Sequence, residues 1–333
     1  MKKLLKRIIP EFLIQTYLLY FSDIIPHANI LSKKTGISRL TLLFDMGFSI
    51  LRFVTPYEYG IYCFYERSWR ARNQFVTLHR RKKLVKALNH GDRQLFNNKQ
   101  LFYRHFSDFI GRQWLYASDA SDLQIEDFFY VQKQIIVKPS NLSGGTGVRK
   151  ILYSDVTDMK VFCETARKEC WLLEEFVKQH PGLSAINPAS VNTMRINTVM
   201  DREGVPHVLH AALRMGRGQS IIDNLSGGGI VAQIDLHSGI LSTLAIGKDL
   251  QYHIKHPTSG VVLPGFQIPH WKVAKEMVLQ AAKLVPQTRW IAWDVAVVED
   301  GPIVIEGNAT GPGHELMQLP SQKGIYHLFR EYL

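Results

Sequence analysis

Trp293-Asp294-Val295-Ala296-Val297-Val298-Glu299-Asp300-Gly301-Pro302-Ile303-Val304-Ile305-Glu306-Gly307-Asn308 reads as two short apolar strands about a Gly- and Pro-punctuated turn at 299–302. With the turn centred near Asp300 and Gly301, Asp294 lies across the ladder from the neighbourhood of Glu306 and Asn308. Strand side chains alternate faces, so Glu306 and Asn308 point the same way. Glu306 interrupts an Ile-Val-Ile run, where burial disfavours an unpaired charge. Two carboxylates and an amide carbonyl suit a hard divalent ion shared with phosphates: Mg²⁺, with Mn²⁺ as the alternative. The competing reading is a hairpin with solvated polar ends.

A second signal lies upstream in Gln134-Ile-Ile-Val-Lys138-Pro-Ser-Asn-Leu-Ser143-Gly144-Gly145-Thr146-Gly147-Val-Arg149-Lys150. A β-branched strand ends at Lys138, a glycine-rich loop follows, and a strand over 148–153 leaves it. Glycines let the backbone approach an anion and turn N–H groups toward it, while Ser143 and Thr146 add hydroxyl donors. The spacing is neither that of a P-loop nor that of a dinucleotide fingerprint, because the loop joins two strands. Next comes Trp171-Leu-Leu-Glu174-Glu175-Phe176-Val177, an apolar strand ending in paired carboxylates that an edge strand would solvate.

Taken in order, these motifs resemble the ATP-grasp superfamily: a lysine, then strand–lysine–glycine loop–strand, a strand ending Glu-Glu, and a late Asp…Glu-x-Asn hairpin. The resemblance runs from about Asn98 to the end of the chain. It implies an α+β fold in which two lobes clamp ATP, preceded here by a basic, mostly helical region. It implies that Lys99 and Lys138 reach the nucleotide phosphates and that Ser143, Gly144, Gly145, Thr146 and Gly147 cover them. Glu174, Glu175, Phe176 and Val177 then match the adenine and ribose hinge, and Asp294, Glu306 and Asn308 the metal trio. Within the superfamily the chain is similar to sugar-transfer associated ATP-grasp proteins, through His180-Pro-Gly-Leu-Ser, Asn187 to Ile196, Asp223 to Gly229 and the Lys323-Gly324 tail. That implies a bacterial polysaccharide or surface-glycan context.

An ATP-grasp site makes an acyl phosphate from a carboxylate and ATP, which an amine or other nucleophile then displaces. Neutralising the charge that develops at the transferring phosphoryl is work for cations. Arg195 and Arg214, on expected strands, are candidates for it, and an ordinary salt bridge is the competing account of each. Asn224, with the backbone of 226–229, is a candidate for holding acyl-phosphate oxygens or acceptor. His210 and His314 are read as structural. The expected partners are a small-molecule or glycan-linked carboxylate and an amine acceptor. Two alternatives stay open: a kinase on the same fold, and a non-catalytic nucleotide-binding adaptor at the membrane.

Composition bounds the rest. With 333 residues, 46% hydrophobic and 21% charged, the chain is long enough for two or three lobes. Cys63, Cys163 and Cys170 form neither a CxxC motif nor a disulfide framework, which fits a reducing cytoplasm. Residues 1–90 hold 16 Lys/Arg against 5 Asp/Glu and so carry the whole net charge of +11. The densest run, His79 to Lys86, reads as a solvated helix face or, functionally, as a site for an anionic membrane, a phosphorylated or acidic glycan precursor or nucleic acid; nucleic acid ranks last, since the nearby aromatics sit at helical spacing. No run of apolar residues is long enough to span a bilayer. The expected divisions are 1–95, mostly helical with breaks at Pro26 and near Pro56; 96–180, the first lobe; and 181–333, the second. Strands are expected over 194–200, 207–215, 229–236 and 240–246, with a helix over 271–284.

Overall fold

The computed structural model describes residues 11–140 and 147–333. The chain forms two compact units. One comprises residues 1–86 with 321–331 and Leu333, the other residues 87–320 with Tyr332. The boundary thus falls before residue 95, and the tail expected in the second lobe joins the N-terminal unit. There the Tyr326 N–H donates to Gln74 O at 2.8 Å. Gly324 lies so close that a Cβ would come within 2.3 Å of the Gln74 backbone.

The N-terminal unit is helical. Pro26 does not break it: helix Glu11–Thr35 runs straight through. Pro26 forfeits one hydrogen bond, but Ile24, Ala28 and Leu31 are buried at helical spacing, and that packing outweighs the loss. The break near Pro56 is present. Thr55 caps helix Pro56–Ile61, with Pro56 in the first turn and Glu58 completing a capping box.

In the second unit, among the described residues, the strands form two antiparallel sheets. The smaller has the order β1-β4-β2-β3, from β1 (Trp114–Tyr116), β2 (Gln134–Pro139), β3 (Arg149–Leu152) and β4 (Trp171–Glu175). Ile135, Val137, Trp171 and Leu173 share a core with Phe129 and Phe162, which come from helices Asp122–Gln132 and Met159–Lys168. Strand alternation leaves Ile136, Lys138, Leu172 and Glu174 on the opposite face.

The larger sheet has the order β11-β10-β5-β6-β7-β8-β9. It comprises β5 (Met194–Met200), β6 (Pro206–Met215), β7 (Ile230–Gln233), β8 (Ala245–Ile246), β9 (Tyr252–His253), β10 (Trp290–Val298) and β11 (Gly301–Asn308). The strand expected over 240–246 shortens to β8, because Leu241 makes only an isolated bridge to Ile234. One face carries Ile196, Leu213, Trp293 and Val295 into a core with helix Trp271–Lys283 and with Phe102 and Phe106. Gly307 is required there, since a Cβ would meet the Phe102 ring at 2.8 Å. The other face holds the polar groups described next.

Candidate active site

The late hairpin turns through Glu299 and Asp300, pairing Val298 with Gly301. Continued without interruption, that register would set Asp294 opposite Ile305 and leave Glu306 on the other face of the sheet. A bulge intervenes. Val295 pairs with Val304, but Asp294 pairs with Glu306 and Ala292 with Asn308, so Ile305 is the extra residue. Directly opposed residues share a face, so the bulge brings the two carboxylates together. Arg112 Nη1 donates to Val304 O at 2.8 Å, which gives the backbone beside the bulge a partner.

Arg195 lies across from Asp294 on β5. Arg195 Nη2 donates to Asp294 Oδ2 at 2.9 Å, and its Nε lies against Oδ1. Arg214, on β6, adds an ion pair to Asp294 Oδ2 at 3.2 Å and another to Asp223 Oδ1 at 3.4 Å. Asp223 in turn accepts from Thr193 N at 2.9 Å and Thr193 Oγ1 at 2.5 Å. Both arginines and both aspartates are buried. Burial lowers the basicity of Arg214, but Asp223, Asp294 and Glu306 more than restore it, so the guanidinium stays charged. Glu306 goes the other way. Burial and the neighbouring Asp294 raise its carboxyl, against the opposing pull of Arg195 and Arg214. Asn308 Nδ2 donates to Glu306 Oε1 at 3.3 Å. Gly313 (φ +69°) gives Arg195 room, since a Cβ there would stand 3.0 Å from Nη1.

The small sheet brings a second charge cluster. Ile136 pairs with Glu174 and Lys138 with Leu172, so Lys138 and Glu174 are diagonal neighbours on one face. Lys138 Nζ meets Glu174 Oε2 at 2.5 Å and Arg112 Nη2 meets Oε1 at 2.8 Å. Tyr103 OH donates to the same Oε1. Burial pushes the Glu174 carboxyl up, but Lys138 and Arg112 overcome it and hold the group at about 2. The Glu174 side chain is therefore turned to the lysine and arginine, rather than solvated at an edge or open to a base. Glu175 Oε2 accepts from Gln113 N at 2.9 Å. Phe176 and Val177 line a cavity of about 480 Å³, together with Gln179, Pro181, Pro188 and Val191.

Lys99 links the clusters. Asn98 caps helix Lys99–His105 by accepting from Leu101 N at 3.1 Å. Lys99 Nζ donates to Pro139 O at 3.1 Å, at the end of β2. Burial lowers its ammonium, and its charge responds to Glu306 on one sheet and to Lys138 and Glu174 on the other. Lys99 thus stands between the Lys138–Glu174 pair of the small sheet and Glu306 of the large one.

The remaining sequence candidates divide. Asn224 Oδ1 accepts from Gly227 N at 2.6 Å and caps the short helix Leu225–Gly227, so its carbonyl holds the loop together. Ser143, Gly144, Gly145 and Thr146 lie outside the described residues, whereas Gly147 is exposed with φ +76°. His210 is buried, and burial depresses its imidazole to about 4. The reading of sequence missed Arg112, Tyr103, Asp223 and Thr193. Asp223 stands beside the singled-out Asn224, so the motif was noticed and its charged member passed over.

A Mg²⁺ ion is implied by the fold, and the donors fit it. Glu306 and Asn308 supply a carboxylate and an amide side by side, oxygen donors of the kind a hard divalent ion takes. Asp294 is shared with Arg195 and Arg214, so in such a site it would be a partly neutralised member. Among the described residues, no three His, Cys, Asp or Glu side chains form a metal cluster of their own.

A family model described as sugar-transfer associated ATP-grasp matches residues 80–332. This chain belongs to that family. Its match begins upstream of Asn98, where the sequence motifs start. The chain is also similar to several solved structures. The D-alanine–D-alanine ligase from Bacillus anthracis complexed with ATP is 12% identical with a TM-score of 0.42, covering 72% of this chain and 65% of that one. The ligase PsnB with a phosphomimetic minimal precursor, Mg and ADP is 16% identical with a TM-score of 0.38, covering 68% and 58%. The L-amino acid ligase from Bacillus licheniformis is 16% identical with a TM-score of 0.39, covering 70% and 48%. This ATP-grasp chain therefore spans about three-fifths of the length of the first of these structures to be matched, that of PsnB. No curated protein matches at the sequence level.

Proposed function

We propose that the protein is an ATP-dependent carboxylate–amine ligase that works through an acyl phosphate, in the assembly of a bacterial surface glycan or a related amide. The observation that carries this reading is the place of Lys99, which feels both the Lys138–Glu174 pair and Glu306 of the Arg195–Asp294–Glu306–Arg214 group. A carboxylate attacking a γ-phosphate must approach like charge, so the site has to supply cations before any bond forms. Lys138 and Lys99 are suited to phosphate oxygens from the side of the small sheet. Arg195 and Arg214, held by Asp294 and Asp223, are suited to the oxygens that gain charge as the phosphoryl moves. Mg²⁺, held by Glu306 and Asn308 with Asp294, would supply charge neutralisation between the phosphates. Burial of this group keeps water from the acyl phosphate, so that the amine takes it. The family's own description, associated with sugar transfer, supports an acceptor or acid carried on a glycan precursor. The cysteine pattern and the need for ATP support a cytoplasmic setting.

The test measures ADP and inorganic phosphate together across a panel of acids and amines, with mass spectrometry of the products. Phosphate release that requires both an acid and an amine supports the ligase. ADP formed with the phosphate retained on the acceptor makes the protein a kinase, and tight ATP binding without ADP makes it an adaptor. Glu306→Gln should abolish turnover in a folded protein. Near-normal Mg²⁺-dependent turnover by that variant would remove Glu306 from the site.

A further inference from the structure

Helix Arg39–Ile50 is apolar on both sides. Leu42, Met46 and Ile50 are buried against its own unit. Leu40, Phe44 and Phe48, with Leu51 just beyond the end, recur on the other side and are 66%, 79%, 56% and 59% exposed. A helix apolar all round expects cover on both faces, and this outer stripe has none within the described residues of the unit.

The exposed charge nearest the stripe in sequence is mostly positive. Lys33, Lys34, Arg39, Arg52 and Arg70 are exposed. Arg52 lies 5.2 Å from the Phe48 ring centroid and 4.4 Å from that of Trp69, so a cation sits on the aromatic end of the stripe. The carboxylates nearest in sequence are turned inward. Asp45 is held by both Arg72 nitrogens at 2.7 and 2.6 Å and by Tyr59 OH at 2.6 Å. Glu58 is buried in the cap of the next helix, and Glu66 is the remaining exposed acid between Arg39 and Lys86. Leu51, Arg52 and Trp69 also line a cavity of about 370 Å³, to which Arg72, Arg80 and Lys83 add positive charge.

We propose that this face docks the protein on an anionic bilayer, with the Leu40–Leu51 stripe entering the headgroup boundary and a lipid phosphate seated in the adjoining cationic cavity. An apolar strip bordered by arginines and lysines has the chemistry of interfacial binding. A second copy of the chain would bring like charge against like charge. No helix of the described residues is long and apolar enough to cross a membrane, so attachment would be at the surface. The proposal is independent of the reading of the catalytic site.

The test sediments the full chain with vesicles of phosphatidylcholine, alone or containing about one-third phosphatidylglycerol. Binding is expected to be about tenfold or more stronger to the anionic vesicles, and to weaken as salt is raised. Phe44→Ser with Phe48→Ser should lower it about tenfold by removing buried apolar area. Arg52→Glu with Lys83→Glu should lower it as much and flatten the salt dependence. All four side chains are exposed, and unchanged circular dichroism and thermal unfolding would establish that each variant is folded. Equal binding to neutral and anionic vesicles, no binding to either, or variants that sediment like the parent would overturn the proposal. A wild-type dimer that the double Ser variant dissolves, without any vesicle association, would assign the stripe to a second copy instead. Calorimetric binding of free glycerol phosphate without vesicle association would assign the cavity to a soluble ligand and equally overturn it.

Discussion

Replacing Glu174 by Gln keeps the shape of the side chain and removes one buried charge from between Lys138 and Arg112. The carboxyl is held at about 2, against an ordinary value of 4.5. At about 1.4 kcal/mol for each tenfold change in acidity, that gap corresponds to roughly 3 kcal/mol of stability. The figure agrees with the cost of about 3–5 kcal/mol for removing one partner of a buried ion pair. The sign follows from the direction of the depression. A carboxyl more acidic in the folded chain stabilises fully above its unfolded value and loses that contribution as pH falls toward the folded one. The assay is urea unfolding of parent and Glu174→Gln at pH 7 and near pH 3, followed by fluorescence of the second unit's tryptophans. The variant should be about 3 kcal/mol less stable at pH 7, and the gap should narrow by about half at the lower pH. A gap below about 1 kcal/mol at pH 7, or one unchanged between the two pH values, would show that Glu174 does not anchor the lysine as argued.

Lys138→Ala should weaken ATP binding by about tenfold or more in calorimetry, because it removes a charge-assisted contact and exposes Glu174. Unchanged affinity would separate Lys138 from the phosphates. Asp223→Asn should cut kcat about tenfold or more while leaving ATP affinity within about twofold. It breaks the Thr193–Asp223–Arg214 chain that aims one guanidinium without removing a nucleotide contact. An equal loss in ATP affinity would mean that Asp223 acts on the whole fold instead.

The late hairpin was legible because two apolar runs flank a Gly-Pro turn and acids interrupt them at Asp294 and Glu306. That pattern cannot show the bulge. Ile305 is as apolar as its neighbours, and only the pairing of Asp294 with Glu306 reveals which strand carries the extra residue. Strands β5 and β6 were found almost residue for residue, being long, buried and bounded by polar turns. The role of Glu174 was not legible. Its place beside Lys138 depends on β4 pairing with β2 in a particular register, and Arg112 and Tyr103 reach it from a segment more than 60 residues earlier in the chain. Pro26 misled for a related reason: the tertiary packing of Ile24, Ala28 and Leu31, absent from any local signal, carries the helix through it.

The central claim is that Glu306, Asn308 and Asp294 share one divalent ion with phosphates that Lys99 and Lys138 contact. It is tested most directly by the anomalous signal of manganese in crystals grown with a non-hydrolysable ATP analogue. The account predicts a manganese peak within coordination reach, roughly 2 Å, of Glu306 and Asn308 oxygens and of the phosphates. Triphosphate density away from both lysines, or no peak beside Glu306, would contradict it.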